Sequence, residues 1–518
     1  MKLGELCKKI SIEDVFYGGK ALNKNDKEHD KVFDSAISSV VTDSRNAAQG
    51  SLFICLRGTK TDGNDYIDKA IASGASAIMT DESGTAAEMS GNYSDIIFVV
   101  TDSARRACSY IYDAVNGYPS ERMKFFAVTG TNGKTSVTYM LKCIFEAAMI
   151  KCGLIGTVSC YSGDKKLTYK PANESAAMTT PDPEQLYPLL AQMADDGCRY
   201  VILEATSHAL ALDKLAPISF EMGIFTNLTP DHLDFHKSME NYYLAKLKLF
   251  GSCKTAIINC DDRFSERFQN DIAGKCRTVT CSAKYAFADY YSDSISNLGV
   301  GGCEYRIRSK KAIMKIKCRI PGRFTVINSL EAAAAALESK IRPSIIYDAL
   351  ASIAGINGRM ENVSLCPGAD FSVFIDYAHT PDALENLLKT VADFRINGQR
   401  IVLLFGCGGD RDKTKRPVMG KIASELADRI IITSDNSRTE DPKLIIDRIV
   451  SGIRRGCDYT VIYNRRDAID YAVKTAHKGD IILLAGKGHE DYEIDAHGKH
   501  EFNEKEIARN AARKYFSH

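Results

Sequence analysis

Phe125-Phe126-Ala127-Val128-Thr129-Gly130-Thr131-Asn132-Gly133-Lys134-Thr135-Ser136 is the stretch of this sequence that decides its fold. A short apolar run predicts a buried strand, glycines interrupt it, and a helical pattern over 137–148 follows. A strand, a glycine-rich turn and a helix N-terminus in this order form an anion site, because backbone N–H groups and the helix dipole face the ligand. The lysine then reaches phosphate oxygens and the threonine hydroxyl ligates Mg²⁺. The stretch therefore predicts a phosphate-binding loop.

The loop is a compact variant of the usual phosphate-binding pattern. That pattern has an earlier glycine at the position where this chain has Val128. The alternative interpretation is a glycine-rich turn with a surface lysine, but the strand, the helix and the functional residue types all agree with a phosphate site. The residues expected to bind phosphate here are Gly130, Thr131, Asn132, Gly133, Lys134, Thr135 and Ser136.

Length and composition bound the class of protein. At 518 residues the chain is long enough for about three domains, which we expect over 1–118, 119–350 and 351–518. The net charge of +1 argues against a nucleic-acid partner. The sequence has no apolar run of membrane-spanning length and no signal pattern at its start. We therefore expect a cytoplasmic protein with no membrane partner.

Sixteen cysteines are scattered along the chain without a C-x-x-C pair. Many stand inside apolar runs, which is typical of reduced thiols in the core of a cytosolic protein. A disulfide framework or a zinc site is the weaker alternative.

The first predicted domain, 1–118, alternates strand and helix patterns and reads as a small α/β unit. Ser44 and Arg45 stand beside a predicted strand. Either they hold a phosphate or a polar ring edge, or they are a turn hydroxyl and a surface arginine, and the residues alone leave both open.

The second predicted domain carries two further candidate sites. Glu204 ends a predicted buried strand at 200–204, where an acidic side chain would lie beside Thr135 and Mg²⁺; helix capping is the alternative. Two aspartates and two histidines stand within 231–236, as metal or phosphate ligands or as a solvated loop. The pattern over 277–320 predicts a small antiparallel sheet. Asn328 either caps the following helix or reaches a base.

The third predicted domain is a doubly wound, mostly parallel sheet with strands at 372–376, 401–405, 430–433 and 481–485. A polar loop follows each of these strands, so all of the loops lie along one edge. A purely structural sheet does not need such loops, and we expect a ligand site there. The loops are 376–379, 406–413, 434–438 and 486–490.

Taken together, the motifs in all three parts of the chain resemble the Mur ligases of bacterial cell-wall synthesis, most closely the members that add the third amino acid. The motifs that carry the resemblance are Gly-Thr-Asn-Gly-Lys-Thr at 130–135, Thr-Thr-Pro at 179–181, Glu-Ala-Thr-Ser-His at 204–208, Asn-Leu-Thr-Pro-Asp-His-Leu-Asp at 227–234, Ala-Lys at 245–246, Asn328, Gly-Arg-Met-Glu at 358–361, Asp-Tyr-Ala-His at 376–379, Gly-Gly-Asp-Arg at 408–411 and Gly-Lys-Gly-His-Glu at 486–490.

The resemblance implies an ATP-dependent amide ligase. ATP would convert the D-Glu γ-carboxylate of UDP-MurNAc-L-Ala-D-Glu into an acyl phosphate, and the amine of a diamino acid would displace phosphate. It also implies two Mg²⁺ ions, one held by Thr135 and Glu204, the other held or oriented by His232 and a CO₂-carbamylated Lys246. Lys134, Glu204, His232 and Lys246 would be the catalytic residues. Without the resemblance, a lysine such as Lys246 in a predicted helix is expected to point into solvent.

The same resemblance distributes the substrates over the chain. Ser44 would lie near the uridine diphosphate, while Thr179, Thr180 and Thr206, with Lys214 and Lys246, would bind the muramoyl-peptide. Asn328, Arg359 and Asp376 would contact ATP, the last two after domain closure, and we expect a monomer. The residues implied for the amino acid are Arg411, Asp435, Asn436, Ser437, Arg438, Gly486 and Glu490.

The loop Asp435-Asn436-Ser437-Arg438 bears on the choice of amino acid. Family members that add meso-diaminopimelate carry Asp-Asn-Pro-Arg here, and those that add L-lysine usually lack the arginine. A bidentate pair between Arg438 and the distal carboxylate would favour diaminopimelate, with the distal ammonium at Gly486 and Glu490 and the other carboxylate at Arg411. Ser437 departs from the family proline, and Lys214 and Leu212 stand where arginine and glutamine are common.

Three alternatives accompany this prediction. The first is the same ligase with L-lysine as its substrate. The second is a ligase similar to folylpolyglutamate synthase, although such enzymes lack a first domain like 1–118. The third is a nucleotide-binding regulator without activity, which the intact Lys134, Glu204, His232 and Lys246 disfavour.

Overall fold

The computed structural model describes residues 1–23, 25–58, 61–168, 178–310, 312–396 and 398–517. These residues form two compact units. The first unit comprises 1–132, 150–256 and 267–278, and the second comprises 133–149, 257–266 and 279–518. The division falls inside the phosphate-binding loop and inside the elements Cys253–Asn259, Ser265–Ile272 and Arg277–Ser282. The three domain ranges expected from the sequence stay a prediction.

The first unit begins with a six-stranded sheet in which the strands Ser51–Ile54, Ala75–Thr80 and Ile97–Thr101 are largely buried. Its strand order is Lys20–Ala21, Ile12–Tyr17, Ile97–Thr101, Ala75–Thr80, Ser51–Ile54 and Val40–Val41. The last four strands are parallel. The helices of this part are Leu3–Cys7, Lys27–Phe33, Ile67–Ala72, Ser83–Asn92, Ala104–Val115 and Pro119–Arg122, with 3₁₀ turns at Ser44–Asn46 and Gly63–Tyr66.

The remainder of the first unit contains a parallel set of strands with an antiparallel edge. The order is Lys165–Leu167, Cys160–Ser162, Cys152–Ile155, Tyr200–Glu204, Lys124–Thr129 and Phe220–Phe225. The last four are parallel, so their carboxyl ends lie at one edge. The helices here are Pro183–Asp195, Ser207–Ala211, Leu233–His236 and Met239–Leu247, followed by a 3₁₀ turn at Lys248–Ser252.

The second unit begins with the helix Lys134–Ala147, which packs against Arg323–Glu338 and Pro343–Ser352. The alanines at 332–336 are fully buried, and their small side chains let the helices approach closely. The strands Tyr290–Asn297, Cys303–Ser309 and Ile313–Cys318 are antiparallel, as the sequence predicts.

The first strand of the 277–320 segment departs from that prediction. Cys281 and Ser282 pair in parallel with Tyr290 and Tyr291. Asp261 accepts hydrogen bonds from Ser282 Oγ at 2.6 Å and Ala283 N at 2.9 Å, so the chain turns aside there instead of forming a hairpin.

The rest of the second unit is a doubly wound sheet in the order Glu361–Asn362, Ser372–Asp376, Ile481–Ala485, Ile401–Phe405, Arg429–Ile432 and Tyr459–Val461. All pairings except the first are parallel. Helices cover both faces, Pro381–Phe394, Lys415–Leu426 and Pro442–Val450 on one and Arg465–Lys474 and Glu504–Phe516 on the other. A hairpin, Tyr492–Asp495 with Gly498–Glu501, precedes the last helix. The predicted α/β class is confirmed.

Two global features bear on the protein's class. Among the described residues, no helix is both long enough and apolar enough to cross a membrane. All sixteen cysteines are free, and each is buried or half-buried.

Candidate functional site

The first half of the phosphate-binding loop is fastened to the neighbouring strand end within the first unit. Gly130 has φ +147°, and a Cβ on it would lie 1.9 Å from Thr226 Oγ1, so only glycine fits. Asn227 accepts the N–H of Thr131 at its carbonyl and the N–H of Asn132 at its Oδ1, both at 2.9 Å. The loop conformation is therefore fixed before any ligand binds.

The second half of the loop starts a helix in the second unit. Gly133 has φ +88°, and a Cβ there would lie 2.6 Å from Asn328 Oδ1. The helix begins at Lys134, which is half-buried like Ser136, while Thr135 is buried. Asn328 lies inside the helix Arg323–Glu338 and is not its cap, so the capping interpretation is wrong. Its side chain instead contacts the glycine that precedes the anion-binding helix end.

Glu204 ends its strand as predicted, and its side chain is 1% exposed. Its Oε1 accepts the N–H of Thr157 at 2.9 Å and its Oε2 accepts Thr157 Oγ1 at 3.0 Å. The next helix, Ser207–Ala211, is capped by Thr206, which accepts from Ala209 N, so Glu204 is not a helix cap. A carboxylate with two hydrogen bonds retains lone pairs for a cation.

Four threonines gather around this carboxylate and form what we call the threonine cluster: Thr157, Thr179, Thr180 and Thr206. Thr157 Oγ1 lies 3.0 Å from Thr179 Oγ1, and Thr180 Oγ1 lies 3.1 Å from Thr206 Oγ1. Thr180 also donates to the carbonyl of Glu204 at 2.7 Å. The structure thus brings Thr206 to the adjacent pair Thr179 and Thr180 and adds Thr157, which the motifs had not singled out.

Lys214 lies against the segment that carries two of these threonines. Its Nζ is 2.8 Å from Asp182 Oδ1 and 3.4 Å from the carbonyl of Thr180, and the residue is 3% exposed. Burial, then Asp182 and Asp43, raises the pKa of the Glu184 carboxyl. Asp43 caps the turn that contains the buried Ser44, so this turn lies near Glu184.

Lys246 is 1% exposed, contrary to the solvated position that a lone helical lysine suggests. Its Nζ donates to the carbonyl of Gly130 at 2.8 Å and lies 4.5 Å from the centroid of the Tyr242 ring. The helix Met239–Leu247 therefore directs this amine at the phosphate-binding loop. Lys248, on the same helical segment, pairs with Asp213 and has a half-exposed side chain.

The histidines of the 231–236 segment make edge-on ring contacts with His208. The His208 ring lies 4.9 Å from that of His232 and 5.5 Å from that of His236. His236 Nε2 lies 2.9 Å from Ser207 Oγ. Burial, then the charges of His232 and His236, lowers the pKa of His208 to about 4. Within the described ranges, no three His, Cys, Asp or Glu side chains lie close enough to hold a metal ion by themselves.

Asp376 and Arg359 lie together at one strand end of the second unit. Asp376 accepts the N–H groups of Met360 at 2.8 Å and Ala378 at 2.9 Å, and burial raises the pKa of its carboxyl. The Arg359 guanidinium lies 5.3 Å from the centroid of the Tyr377 ring and interacts with Asp376. The loops that carry these groups are therefore ordered together.

The polar loops of the second unit interlock as the sequence predicts. A Cβ on Gly408 would lie 3.0 Å from Arg438 Nη1 and 3.9 Å from Arg411 Cγ. Arg438 has φ +52°, and its Nη1 donates to the carbonyls of Gly409 at 2.8 Å and Asn436 at 3.3 Å. No partner for Arg438 Nε or Nη2 is found among the described residues, so these donors can bind a ligand.

Asn436 and Glu490 join the third loop to this group. Asn436 Nδ2 donates to Glu490 Oε2 at 2.8 Å, and Asn436 Oδ1 accepts from Ile494 N at 2.9 Å. Gly486 has φ +116°, and a Cβ on it would lie 2.7 Å from Asp435 Oδ2. Burial, then the charge of Asp435, raises the pKa of Glu490. The loops therefore place the Arg438 guanidinium close to two acidic side chains, Asp435 and Glu490.

Three charged residues that the motifs left without a role hold these loops. Lys487 is fully buried, and its Nζ donates to Asn436 Oδ1 and to the carbonyl of Tyr492, both at 2.9 Å, with the Phe502 ring centroid 5.4 Å away. Arg416 and Glu440 form a bidentate ion pair beside the glycines at 408–409. Lys487 and Glu440 stand in charged loops that follow buried strands, which is a weak sequence signal, whereas Arg416 lies in the helix Lys415–Leu426.

Comparison with known proteins gives matches along most of the chain. Family models described as Mur ligase family, catalytic domain; Mur ligase middle domain; and Mur ligase, glutamate ligase domain match residues 36–116, 128–336 and 358–488, respectively. A curated UDP-N-acetylmuramoyl-L-alanyl-D-glutamate--2,6-diaminopimelate ligase of Clostridium tetani (strain Massachusetts / E88) is 39% identical over 507 residues, covering 98% of each chain.

Two further relatives agree with these matches. A Clostridium acetobutylicum protein described as UDP-N-acetylmuramoyl-L-alanyl-D-glutamate--2,6-diaminopimelate ligase 1 is 40% identical over 480 residues, covering 93% of this chain and 95% of that protein. A solved structure of a UDP-N-acetylmuramoyl-L-alanyl-D-glutamate--2,6-diaminopimelate ligase is 28% identical and covers 99% of both chains, with a TM-score of 0.67.

Proposed function

Since the chain belongs to the Mur ligase family, we propose that it is an ATP-dependent ligase that joins meso-diaminopimelate to the D-Glu γ-carboxylate of UDP-MurNAc-L-Ala-D-Glu. The curated relatives that cover nearly the whole chain act on this acceptor and this amino acid by their descriptions. The reaction makes a peptidoglycan precursor. The chemistry must activate an unreactive carboxylate and then deliver an amine to it.

The nucleotide end of the reaction uses the phosphate-binding loop. Lys134 and the N–H groups at the start of the helix Lys134–Ala147 bind the transferring phosphoryl group, for which a helix N-terminus is suited. Gly130 and Gly133 allow the backbone to approach the phosphates, since a side chain at either would collide with its neighbours. Asn328, Arg359 and Asp376 bind the remainder of ATP, with Thr131, Asn132 and Ser136 lining the loop.

The acidic and lysine residues of the first unit fit magnesium. Mg²⁺ prefers oxygen ligands, and Glu204 keeps uncommitted lone pairs after its two bonds from Thr157. A CO₂-derived carbamate on the buried Lys246 would add an anionic oxygen ligand near Gly130, and His232 would hold or orient the ion. Bound Mg²⁺ neutralises charge on the phosphoryl oxygens.

The two chemical steps then follow from the substrates. The γ-carboxylate attacks the terminal phosphorus of ATP, forms the acyl phosphate and releases ADP. The diamino acid's amine attacks the acyl carbon, the amide C–N bond forms, phosphate leaves and the amine gives up a proton. Ser44 binds the uridine diphosphate, while Thr179, Thr180, Thr206 and Lys214 hold the muramoyl-peptide so that its carboxylate meets the phosphoryl group.

The arrangement around Arg438 is the single observation that carries the choice of amino acid. Its guanidinium is held by Gly409 and Asn436 while Nε and Nη2 lack partners within the described part of the chain. Glu490 and Asp435 lie close enough to interact electrostatically with this cluster. A guanidinium next to carboxylates matches the distal carboxylate and ammonium of diaminopimelate. Lysine would leave the guanidinium unpaired, and Arg411 binds the other carboxylate.

A substrate panel tests the proposal. The purified protein is mixed with ATP, UDP-MurNAc-L-Ala-D-Glu and one amino acid at a time, and phosphate release and the ligated product are measured. We expect phosphate release to require both co-substrates and to be fastest with meso-diaminopimelate. Faster turnover with L-lysine would overturn the amino-acid assignment, and ATP hydrolysis that is independent of the sugar-peptide would overturn the ligase itself.

The variant Arg438→Ala isolates the role of the guanidinium. Removing charge-assisted hydrogen bonds of about 1.5–3 kcal/mol should raise the KM for diaminopimelate by about 10–100-fold. Formation of the acyl phosphate, followed by isotope exchange between ADP and ATP, should survive because Arg438 does not bind the nucleotide. Arg454→Ala, at a charged residue outside these loops, is the control, and an unchanged KM for Arg438→Ala would refute this role.

A further inference from the structure

The charged groups around Glu440 join two loops of the second unit, which we call the glycine loop (406–413) and the arginine loop (434–440). Glu440 Oε1 accepts from Arg416 Nη2 at 3.0 Å and from the backbone N–H of Asp410 at 2.6 Å. Glu440 Oε2 accepts from Arg416 Nη1 at 3.1 Å and lies 3.2 Å from Lys413 Nζ. One carboxylate of the arginine loop therefore binds three residues in or next to the glycine loop.

A second connection runs beside the first. Asp410 Oδ1 accepts from Thr439 Oγ1 at 2.8 Å and Asp410 Oδ2 accepts from Thr439 N at 3.2 Å. Gly409 N donates to the carbonyl of Asn436 at 2.9 Å, and a Cβ on Gly409 would lie 1.9 Å from the carbonyl oxygen of Ser437. The backbones of the two loops are thus in contact, and this contact restricts how far one loop can move relative to the other.

The burial of the pair makes the connection rigid. The Arg416 side chain is 1% exposed and that of Glu440 is 16% exposed. Arg416 Nη2 also donates to the carbonyl of Gly408 at 3.2 Å. A planar guanidinium that binds a carboxylate with two parallel bonds fixes distance and angle together. Removing one partner of such a pair leaves the other charge buried and unpaired, so the loops would rearrange.

We propose that Glu440 and Arg416 are positioning residues that set the separation of Arg411 and Arg438, and through it the recognition of the two carboxylates of the amino-acid substrate. Arg411 belongs to the glycine loop and Arg438 to the arginine loop, and neither of the pair needs to touch the substrate. A diamino acid with a carboxylate at each end requires two cationic groups at a fixed spacing. This inference rests on the proposed function.

The test compares the KM values of Glu440→Gln with those of the unmodified protein. Glutamine keeps the volume of the side chain but loses the charge that pairs with Arg416. The KM for meso-diaminopimelate should rise by about 10–100-fold, as when a supporting partner of a binding group is lost. The KM values for ATP and UDP-MurNAc-L-Ala-D-Glu, and the isotope exchange between ADP and ATP, should stay within about 2-fold.

The matched control is Asp480→Asn, which breaks a bidentate pair of the same kind at the opposite end of the same strands. Arg400 Nε and Nη2 donate to Asp480 at 3.0 and 2.7 Å, and the Asp480 side chain is 2% exposed. Its loss should lower the melting temperature without a selective change in the KM for diaminopimelate. An equal rise in all KM values for Glu440→Gln, or the same KM pattern in Asp480→Asn, would show a purely structural role and overturn the proposal.

A milder variant keeps the test decisive if Glu440→Gln does not fold. Thr439→Val removes only the exposed hydroxyl bond to Asp410, and it should raise the KM for diaminopimelate by about 2–5-fold on the same reasoning. No change in this KM for either variant would refute the inference. If the unmodified protein ligates lysine but not diaminopimelate, the proposed substrate is wrong. The KM for lysine is then compared between the unmodified protein and the same variants, and this comparison tests the positioning role by itself.

Discussion

Two regions of the molecule hold their acidic side chains in opposite ways. In the threonine cluster of the first unit, the hydrogen bonds that Glu204 accepts from described residues come from two neutral donors, both on Thr157. In the glycine and arginine loops of the second unit, Glu440 meets a guanidinium, an ammonium and a backbone N–H. Hydroxyl groups can turn toward a new partner, whereas a bidentate ion pair cannot.

This difference corresponds to different tasks. A carboxylate proposed as a cation ligand needs lone pairs that remain available until the ligand arrives. Loops that select a zwitterionic amino acid need fixed charges before binding, since ordering them afterwards would reduce affinity. Substitutions in the first region should therefore lower kcat. Substitutions in the second region should raise the KM for the amino acid and change stability at acidic pH.

The largest expected effect is in the first region. Lys246→Ala removes the buried amine that donates to Gly130, and kcat should fall by at least about 100-fold, as when a preorganised electrostatic group is lost. The control is Lys248→Ala, whose side chain is 50% exposed and pairs with Asp213; its kcat should stay within about 2-fold. If Lys246→Ala still ligates at half the normal rate, the proposed catalytic role of Lys246 is wrong.

A smaller effect is expected from Thr157→Val. This variant removes one of the two hydrogen bonds to the buried Glu204 carboxylate, and the free energy of unfolding should fall by about 1–3 kcal/mol. Urea unfolding measures the change.

The matched control for Thr157→Val is Thr101→Val. Thr101 is 1% exposed, and its hydroxyl has no hydrogen-bond partner among the described residues. Its replacement should leave stability unchanged or slightly higher. Equal losses in the two variants would mean that the threonine cluster does not hold Glu204 in a special way.

A pH dependence is expected in the second region. The Arg416 guanidinium lowers the pKa of Glu440 to about 2 from its ordinary value of 4.5. The folded state therefore favours the ionised carboxylate, and its stabilising effect is complete above pH about 4.5 and is lost as the pH falls toward 2. The difference in unfolding free energy between the unmodified protein and Glu440→Gln should shrink over that window. A difference that is independent of pH would contradict the ion pair.

The smallest expected effect is a gain in stability from a substitution at Ser437 in the arginine loop. Ser437 does not have a positive φ, and its N–H has no acceptor among the described residues, so proline would remove no backbone hydrogen bond at this position. Ser437→Pro should raise the unfolding free energy by about 0.4–1 kcal/mol by restricting the unfolded chain. Its KM for diaminopimelate should not rise; a large rise would show that the serine N–H or hydroxyl contacts the substrate.

The regular elements were largely predictable because their hydrophobic patterns are local. The strands Tyr200–Glu204, Ser372–Asp376, Ile401–Phe405 and Ile481–Ala485 have the predicted bounds. Polar residues directly after such strands must lie at one sheet edge, and the four loops do lie together. The parallel pairing of Cys281 with Tyr290 was missed because it depends on a side chain, Asp261, that is distant in sequence.

The candidate site was predictable only in part. Gly133 and Glu204 could be placed from motif spacing, since a loop and a strand end dictate where they lie. The burial of Lys246 could not, because a lysine in a helix has no local signal for the carbonyl it meets. The roles of Lys487 and Glu440 depend on loops that fold against each other, which no single segment encodes.

The ring of Phe502 above Lys487 has a practical consequence. The chain contains no tryptophan, so replacing Phe502 with Trp would introduce the only indole chromophore. The Lys487 ammonium lies 5.4 Å from the centre of the ring, and indole is the preferred aromatic partner for a cation. Because Lys487 also binds Asn436 of the arginine loop, the indole fluorescence should change when an amino acid binds there, and no coupled assay would be needed.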